Sequence, residues 1–298
     1  MSEYLITATL LNVRTTPSLQ NGNIITRLRK DEVVNVTDTS SADWYKINTV
    51  SRTPQIMGYA SSTYLQKKEG LSSNEIKYLQ PVHLPQNWSS KRAYHGAWEF
   101  PLSEENMPRV SGTATVQEKI DSMHAIIAYL AVNKSARYQR DAYTYCNIYA
   151  YDYCFLSGAF LPRVWWMDKA LLDLNQGKAV VPKYGITVHE LNANALYAWL
   201  EEWGNEFSWQ RTYDLDLLQA KVNEGRPGII CGANKNPGRS GHICCVIPEK
   251  ESKTATRQET KVVCPLLSQA GAVNLPFYNN NQWWFLPQIK EFGFWYMQ

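Results

Sequence analysis

The chain has no CxxC pair, no long apolar run, and almost no net charge. Its six cysteines (146, 154, 231, 244, 245 and 264) are too few for 298 residues to be a disulfide scaffold. Without a CxxC pair a zinc site of the usual spacing is excluded, and no cofactor is implied. A Cys244–Cys264 bridge stays open if their strands pair. No apolar stretch reaches the ~18 residues that span a bilayer. The start, Met1 to Thr7, lacks a basic stretch followed by an apolar core, so no secretory signal is visible. A formal charge of +3 argues against a dedicated nucleic-acid binder, which carries a basic stripe, yet lets the protein approach an anionic polymer. Residues 1–66 contain neither Cys nor His, so nucleophile–base chemistry has to lie further along the chain. What is abundant is aromatic: 11 Trp and 18 Tyr. That excess fits binding of a wall polymer or carbohydrate and fits an aromatic core equally well.

Residues 4–66 read as short strands. Val33, Val34 and Val36, then Trp44 to Ile47, are β-rich, and turn clusters at Ser18–Gly22 and Asp38–Ser41 separate them. The expectation is a small all-β barrel, with Trp44 in its core. Residues 67–114 are punctuated by Pro81, Pro85, Pro101 and Pro108 and carry Trp88, Tyr94, Trp98 and Phe100 without periodicity. This reads as an inter-domain connector packed by its aromatics.

From Thr115 the pattern is helical. Thr115-Val116-Gln117-Glu118 is a capping box, followed by Val116, Ile120, Met123, Ile127 and Leu130 on one face. Thr187-Val188-His189-Glu190 is expected to open a second helix stopped by Gly204, and a third is expected over 214–225. Strands are expected at 229–231, 242–247 and 261–268, with closing strands at 282–286 and 292–296. Helices followed by strands predict an α+β domain over 115–298.

Three features in that half bear chemistry. Cys146 falls in the first turn of a helix that Thr144 would cap and Gly158 would end. There the unpaired N–H groups and the dipole favour thiolate. Gly241-His242 opens a strand, which presents an imidazole at a sheet end as general base. If the 261–268 strand returns antiparallel beside it, Gln269 or Asn274 lies near the imidazole and could fix its tautomer. Asp152 and Arg163 could pair. His83, His95, His124 and His189 read as structural.

These residues carry two resemblances. Leu11-Asn12-Val13-Arg14, Ile24 to Leu28, Trp44-Tyr45-Lys46-Ile47 and Gly58 to Leu65 resemble a bacterial SH3 domain, with Asp31 where a Gly is common. Thr144-Tyr145-Cys146-Asn147, Gly241-His242-Ile243 and Ser268-Gln269-Ala270-Gly271 resemble the papain-like cell-wall cysteine peptidases of the NlpC and CHAP types. Departures are Tyr145 and Asn147 around the nucleophile, and Gln269 in place of His, Asn or Glu.

The resemblance implies a peptidoglycan hydrolase acting at the bacterial cell wall on an amide of the stem peptide. Cys146, His242 and Gln269 would be catalytic, and Tyr145, Asn147, Asp152 and Trp209 would contact substrate. Alternatives are a non-catalytic wall-binding protein with a degenerate papain-like half, and a thiol acyltransferase or esterase on the same scaffold.

Overall fold

A computed structural model describes residues 2–19, 23–50, 55–67, 80–236 and 238–298. The turn expected at 18–22 and the start of the connector at 68–79 lie partly or wholly outside the described residues. The chain divides into two compact units, Met1–Lys77 and Tyr78–Gln298.

The first unit is all β: β1 (Ser2–Ile6), β2 (Leu10–Arg14), β3 (Ile24–Arg29), β4 (Val33–Asp38), β5 (Trp44–Thr49), β6 (Met57–Ser61) and β7 (Leu65–Lys67). They form one sheet in the order β3-β2-β6-β5-β4-β1-β7. Alternation decides the core. Leu11 and Val13, then Val34 and Val36, point inward with Ile6, Leu28, Ile47, Ala60 and Leu65. Trp44 is not in that core. It is half-buried, because the alternation that turns Ile47 and Thr49 inward puts Trp44 on the opposite face of β5. Asp31, where a glycine was the common residue, takes a left-handed φ of 67°, which the short polar side chain of Asp tolerates. Gly58 is required by packing: a Cβ there would lie 2.6 Å from Val13 Cγ1 and 2.7 Å from the Arg14 carbonyl.

In the second unit, residues 80–114 form no helix or strand, yet they contribute Val82, Leu84 and Leu102 to the main core. The aromatic-rich stretch read as a connector is, over its described part, built into this unit. Then follow α1 (Val116–Leu130), α2 (Cys146–Leu156), β8 (Val164–Trp166), α3 (Asp168–Asn175), β9 (Val188–Glu190), α4 (Ala193–Glu202), β10 (Trp209–Thr212), α5 (Leu215–Asn223), β11 (Gly228–Asn234), β12 (His242–Val246), β13 (Thr256–Gln258), β14 (Lys261–Cys264), β15 (Leu267–Gln269), β16 (Leu275–Tyr278) and β17 (Ile289–Met297). A six-stranded antiparallel sheet, β10-β17-β11-β12-β15-β16, carries a core on each face. Ile229, Cys231, Ile243 and Cys245 face α2 and α4. Ile230, Cys244, Val246 and Phe294 face Leu218 and Val222 of α5 with Trp283 and Trp284. The central strands are therefore apolar on both sides, which is why they read as continuous hydrophobic runs.

The capping box at Thr115 is present in full, with Glu118 returning to the Thr115 backbone. The second expected box is not. Thr187 spends its hydroxyl on the loop, donating to the Val181 carbonyl and accepting from the Lys183 N–H, and Val188–Glu190 pairs with β8 instead. The helix starts later, capped by Asn192, whose side chain accepts from Ala195 N at 3.0 Å.

The strand expected over 261–268 is split at Pro265, which has no N–H to give a ladder. Lys261–Cys264 pairs with β13, while Leu267–Gln269 pairs antiparallel with β12 through Cys245↔Ser268 and Val246↔Leu267. Of the two expected closing strands, 292–296 lies within β17, but Trp283–Phe285 is a 3-10 turn. All six cysteines are free, so Cys244 and Cys264 form no bridge.

Candidate active site

Cys146 is the first residue of α2, and its cap is Tyr145, not Thr144. Tyr145 has φ −115° and ψ 38° and makes no side-chain cap bond. The N–H groups of the first turn, which have no partner within a helix, therefore stay available beside the thiol. Gly158, at φ 80°, follows the end of this helix, as expected.

His242 opens β12, and the glycine before it is dictated by space. A Cβ on Gly241 would sit 1.9 Å from the Gly232 carbonyl and 2.8 Å from Asn194 Oδ1. Asn194 pins both ends of the connection between β11 and β12, accepting from Asn234 N at 2.9 Å and donating to the Arg239 carbonyl at 2.8 Å. The imidazole stands edge-on to Trp283, with ring centroids 4.5 Å apart. A Cβ on Gly271 would come within 3.3 Å of its Cε1.

Gln269, at the end of β15, meets His242 Nε2 through its Oε1 at 2.8 Å. The amide orientation follows from its other contacts. Gln269 Nε2 donates to the Val273 carbonyl at 3.2 Å, which can only accept, so Oε1 must face the ring. Tyr278 donates its hydroxyl to the same Oε1 at 2.7 Å. An acceptor held against Nε2 makes that nitrogen the protonated one and leaves Nδ1 as the base. Asn274, the rival for this position, is engaged elsewhere: its Oδ1 accepts from Gly271 N, and its Nδ2 donates to the carbonyls of Val132 and Tyr138. One further bond fixes α2 to β15, Tyr149 hydroxyl to Ser268 Oγ at 2.5 Å.

Electrostatics separates Cys146 from the other five cysteines. Burial pushes its thiol up. The hydrogen bond and charge of His242, with backbone N–H groups of Ile243 and Asn147, outweigh burial and hold it below the ordinary thiol value. Burial pulls the His242 imidazole down, but its bond to Cys146 and then to Gln269 leave it above the ordinary value. Both directions favour a thiolate–imidazolium pair. Cys244 is pushed up by burial to about 12, and burial likewise raises Cys154, Cys231, Cys245 and Cys264.

We therefore expect iodoacetamide at mildly acid pH to label Cys146 first. A depressed thiol titrates to thiolate below the ~8.5 of a free cysteine, so its alkylation rate rises with pH and levels off earlier than that of an unperturbed thiol. Peptide mapping reads this directly, and preferential labelling of Cys231 or Cys264 contradicts it.

The four residues expected to touch substrate separate into two pairs. Tyr145 and Asn147 flank the thiol, and Asn147 Nδ2 donates to the Leu191 carbonyl at 2.9 Å. Asp152 and Trp209 do not reach the site. Asp152 is fully buried against Arg137, and Trp209 is buried with its Nε1 donating to the Phe160 carbonyl. Asp152 also does not pair with Arg163, whose partner is Glu190 at 2.9 Å. Sequence reasoning missed Tyr278, Trp283 and Asn194. No local spacing marks them, because each arrives from a different element. Among the described residues no group of three or more His, Cys, Asp or Glu could hold a metal ion, and no helix is long and apolar enough to cross a membrane.

Residues 9–66 match the family model described as Bacterial SH3 domain. The first unit holds a bacterial SH3 domain. The SH3 match ends at residue 66 and does not extend into the α+β unit. No curated protein matches the chain. A bacterial SH3 domain suggests binding to the cell wall, and this one contains neither Cys nor His to do chemistry with.

Proposed function

We propose that the α+β unit is a papain-like cysteine hydrolase of peptidoglycan, cleaving an amide of the wall stem peptide, and that the SH3 domain holds the chain on the wall. One observation carries the reading. Of six buried cysteines, Cys146 alone is held below its ordinary pKa, and it is the one bonded to a histidine whose far nitrogen is fixed by Gln269.

The chemistry follows from these groups. The Cys146 thiolate attacks the amide carbonyl carbon, and the resulting oxyanion lies by the Cys146 N–H at the start of α2. His242, protonated, gives its proton to the leaving amine nitrogen as the C–N bond breaks, leaving a thioester. Water then enters, His242 takes a proton from it, and attack on the thioester releases the carboxylate and restores the thiol pair. Gln269 keeps Nε2 protonated throughout and the ring aimed at sulfur.

Mass spectrometry of soluble products from digested sacculi tests the reading, because one spectrum reports both activity and the bond cut. New amine and carboxylate ends on stem peptides are expected. Intact sacculi would leave a wall-binding protein with a degenerate hydrolase, and acylated or de-esterified products would indicate a transferase or esterase.

Removing residues 1–66 is expected to weaken binding to sacculi in a pull-down while leaving the rate of Cys146 alkylation unchanged. Loss of labelling would mean that the SH3 domain shapes the thiol's surroundings as well.

A further inference from the structure

We propose that the surface beside Tyr145 is a sugar-binding subsite, formed by His95, Trp98, Asp141 and Tyr143, which takes an N-acetylated ring of the wall glycan next to the bond that Cys146 attacks. The proposal rests on the hydrolase reading for its biological substrate, although the site itself is argued from geometry.

Tyr145 immediately precedes the thiol-bearing residue, and a cluster is assembled on it. Trp98 stacks on the Tyr145 ring at 4.5 Å between centroids and 27° between planes. His95 stands edge-on to both, at 4.9 Å from Trp98 and 5.3 Å from Tyr145. Asp141 joins the group: its Oδ2 accepts from the Tyr145 hydroxyl at 2.9 Å and lies 3.5 Å from His95 Nε2, and its Oδ1 accepts from Tyr143 N at 2.8 Å.

The segment carrying His95 and Trp98 is held in place at a conformational cost. Gly96 has φ 126°, and Ala97, which is not a glycine, has φ 52°. A non-glycine residue in the left-handed region persists only where its surroundings over-determine it. Here they do. Buried Arg137 donates to the carbonyls of Gly96, Ala97 and Phe100, buried Arg163 donates to the Trp98 carbonyl at 2.8 Å, and Trp98 Nε1 donates to the Arg137 carbonyl at 3.3 Å.

Two exposed tyrosines adjoin these residues in the chain. Tyr143 is 73% exposed, and Tyr94, the neighbour of His95, is 46% exposed. The His95–Asp141 contact brings the two stretches together. Such rings offer apolar faces with a polar tip.

The occupant follows from what is left unsatisfied. Both Asp141 oxygens already accept, and an imidazole lies against one of them, so the site offers little to an ammonium group. No arginine or lysine in the cluster offers a fork to a carboxylate. What remains on the surface is the second ring nitrogen of His95 and the phenol hydroxyls of Tyr94 and Tyr143, hydrogen-bonding groups beside aromatic rings. That set matches the hydroxyl and acetamide groups and the C–H face of a sugar.

The test uses the full-length chain carrying Cys146→Ala, with a β-1,4-linked N-acetylglucosamine tetramer titrated by calorimetry, so that binding is read without turnover. The tetramer is expected to bind, and adding Tyr143→Ala or His95→Ala is expected to weaken it roughly tenfold, the scale of one aromatic contact. Tyr143→Phe should retain most of the affinity.

In the active chain, Tyr143→Ala should lower kcat/KM roughly tenfold on stem peptide still attached to glycan and leave it unchanged on glycan-free stem peptide. No tetramer binding, binding indifferent to Tyr143 and His95, or an equal loss on both substrates overturns the proposal. Tetramer binding that depends on these residues, in a protein inactive on both substrates, would retain the subsite and reject the hydrolase reading.

Discussion

Cys146→Ala and His242→Ala are each expected to eliminate wall hydrolysis, a loss on the order of 10³-fold or more, while Gln269→Ala is expected to reduce it by much less. The first two are severe because nucleophile and base act as a unit: neither a thiol without its base nor an imidazole without its thiol supplies part of the rate. Gln269 acts at one remove. Its Oε1 accepts from His242 Nε2 at 2.8 Å and from the Tyr278 hydroxyl, and its own Nε2 donates to the Val273 carbonyl, so it selects the tautomer without touching substrate. A neutral amide also stabilises an imidazolium less than a carboxylate would, so its removal forfeits less.

The pH profile separates the roles. Gln269 is one of the groups that raise His242, so its loss should move the acid-side inflection of Cys146 alkylation, whereas a merely structural residue would leave the inflection in place. Activity is measured on sacculi after each variant has shown wild-type thermal unfolding. A folded Cys146→Ala chain with full activity would end the mechanism. A Gln269→Ala loss as deep as that of His242→Ala would mean that Gln269 does more than orient the ring.

The parts of this site legible in the sequence are those written in local chemistry. A cysteine ahead of a helical stretch and a Gly-His ahead of a β-rich one each follow from their immediate neighbours, and β15 returns antiparallel beside β12 even though β13 and β14 come between them in the chain. The Thr115 box was readable because Glu118 had nothing better to bond.

The failures come from partners that no local pattern names and from signals that do not tell inside from outside. Thr187 looked like a cap, but the Val181 carbonyl and the Lys183 N–H claim its hydroxyl. Asp152 and Arg163 lie eleven positions apart, yet each finds its ion partner elsewhere, in Arg137 and Glu190. Trp209 looked like a groove residue because aromatic excess carries no sign of inside or outside. The stretch at 67–114, described from residue 80 on, reads as an inter-domain connector because it lacks periodicity. Its order comes from buried arginines reaching its carbonyls, and no pattern within the stretch announces them.

Those arginines support the second large effect. Asp152→Ala should destabilise the α+β unit by about 3–5 kcal/mol, the cost of leaving a buried charge without its partner. Asp152 and Arg137 are both fully buried, with Arg137 Nε 2.7 Å from Asp152 Oδ2, and Tyr138 donates to the same oxygen at 2.9 Å. Burial pushes the Asp152 carboxyl up, and Arg137 opposes it. For a unit of this size the loss corresponds to a fall in Tm on the order of 10 °C. Asp152→Asn, which keeps an acceptor oxygen, should cost less. Arg137→Ala should cost at least as much as Asp152→Ala, because it also abandons Ser90 Oγ and the carbonyls of Gly96, Ala97 and Phe100.

That last point distinguishes this pair from a simple buried salt bridge, for which an apolar replacement of both partners is often neutral. Here Arg137→Met with Asp152→Leu would still take from the Gly96 carbonyl and the Tyr138 hydroxyl the partners they have, at about 1–3 kcal/mol for each buried group, although the Ala97 and Phe100 carbonyls keep Phe100 N and Ser90 Oγ as donors. The double variant is therefore expected to remain clearly less stable than the native chain in urea unfolding. A double variant as stable as the native chain would show that the arginine serves only its aspartate and does not hold the 96–100 segment.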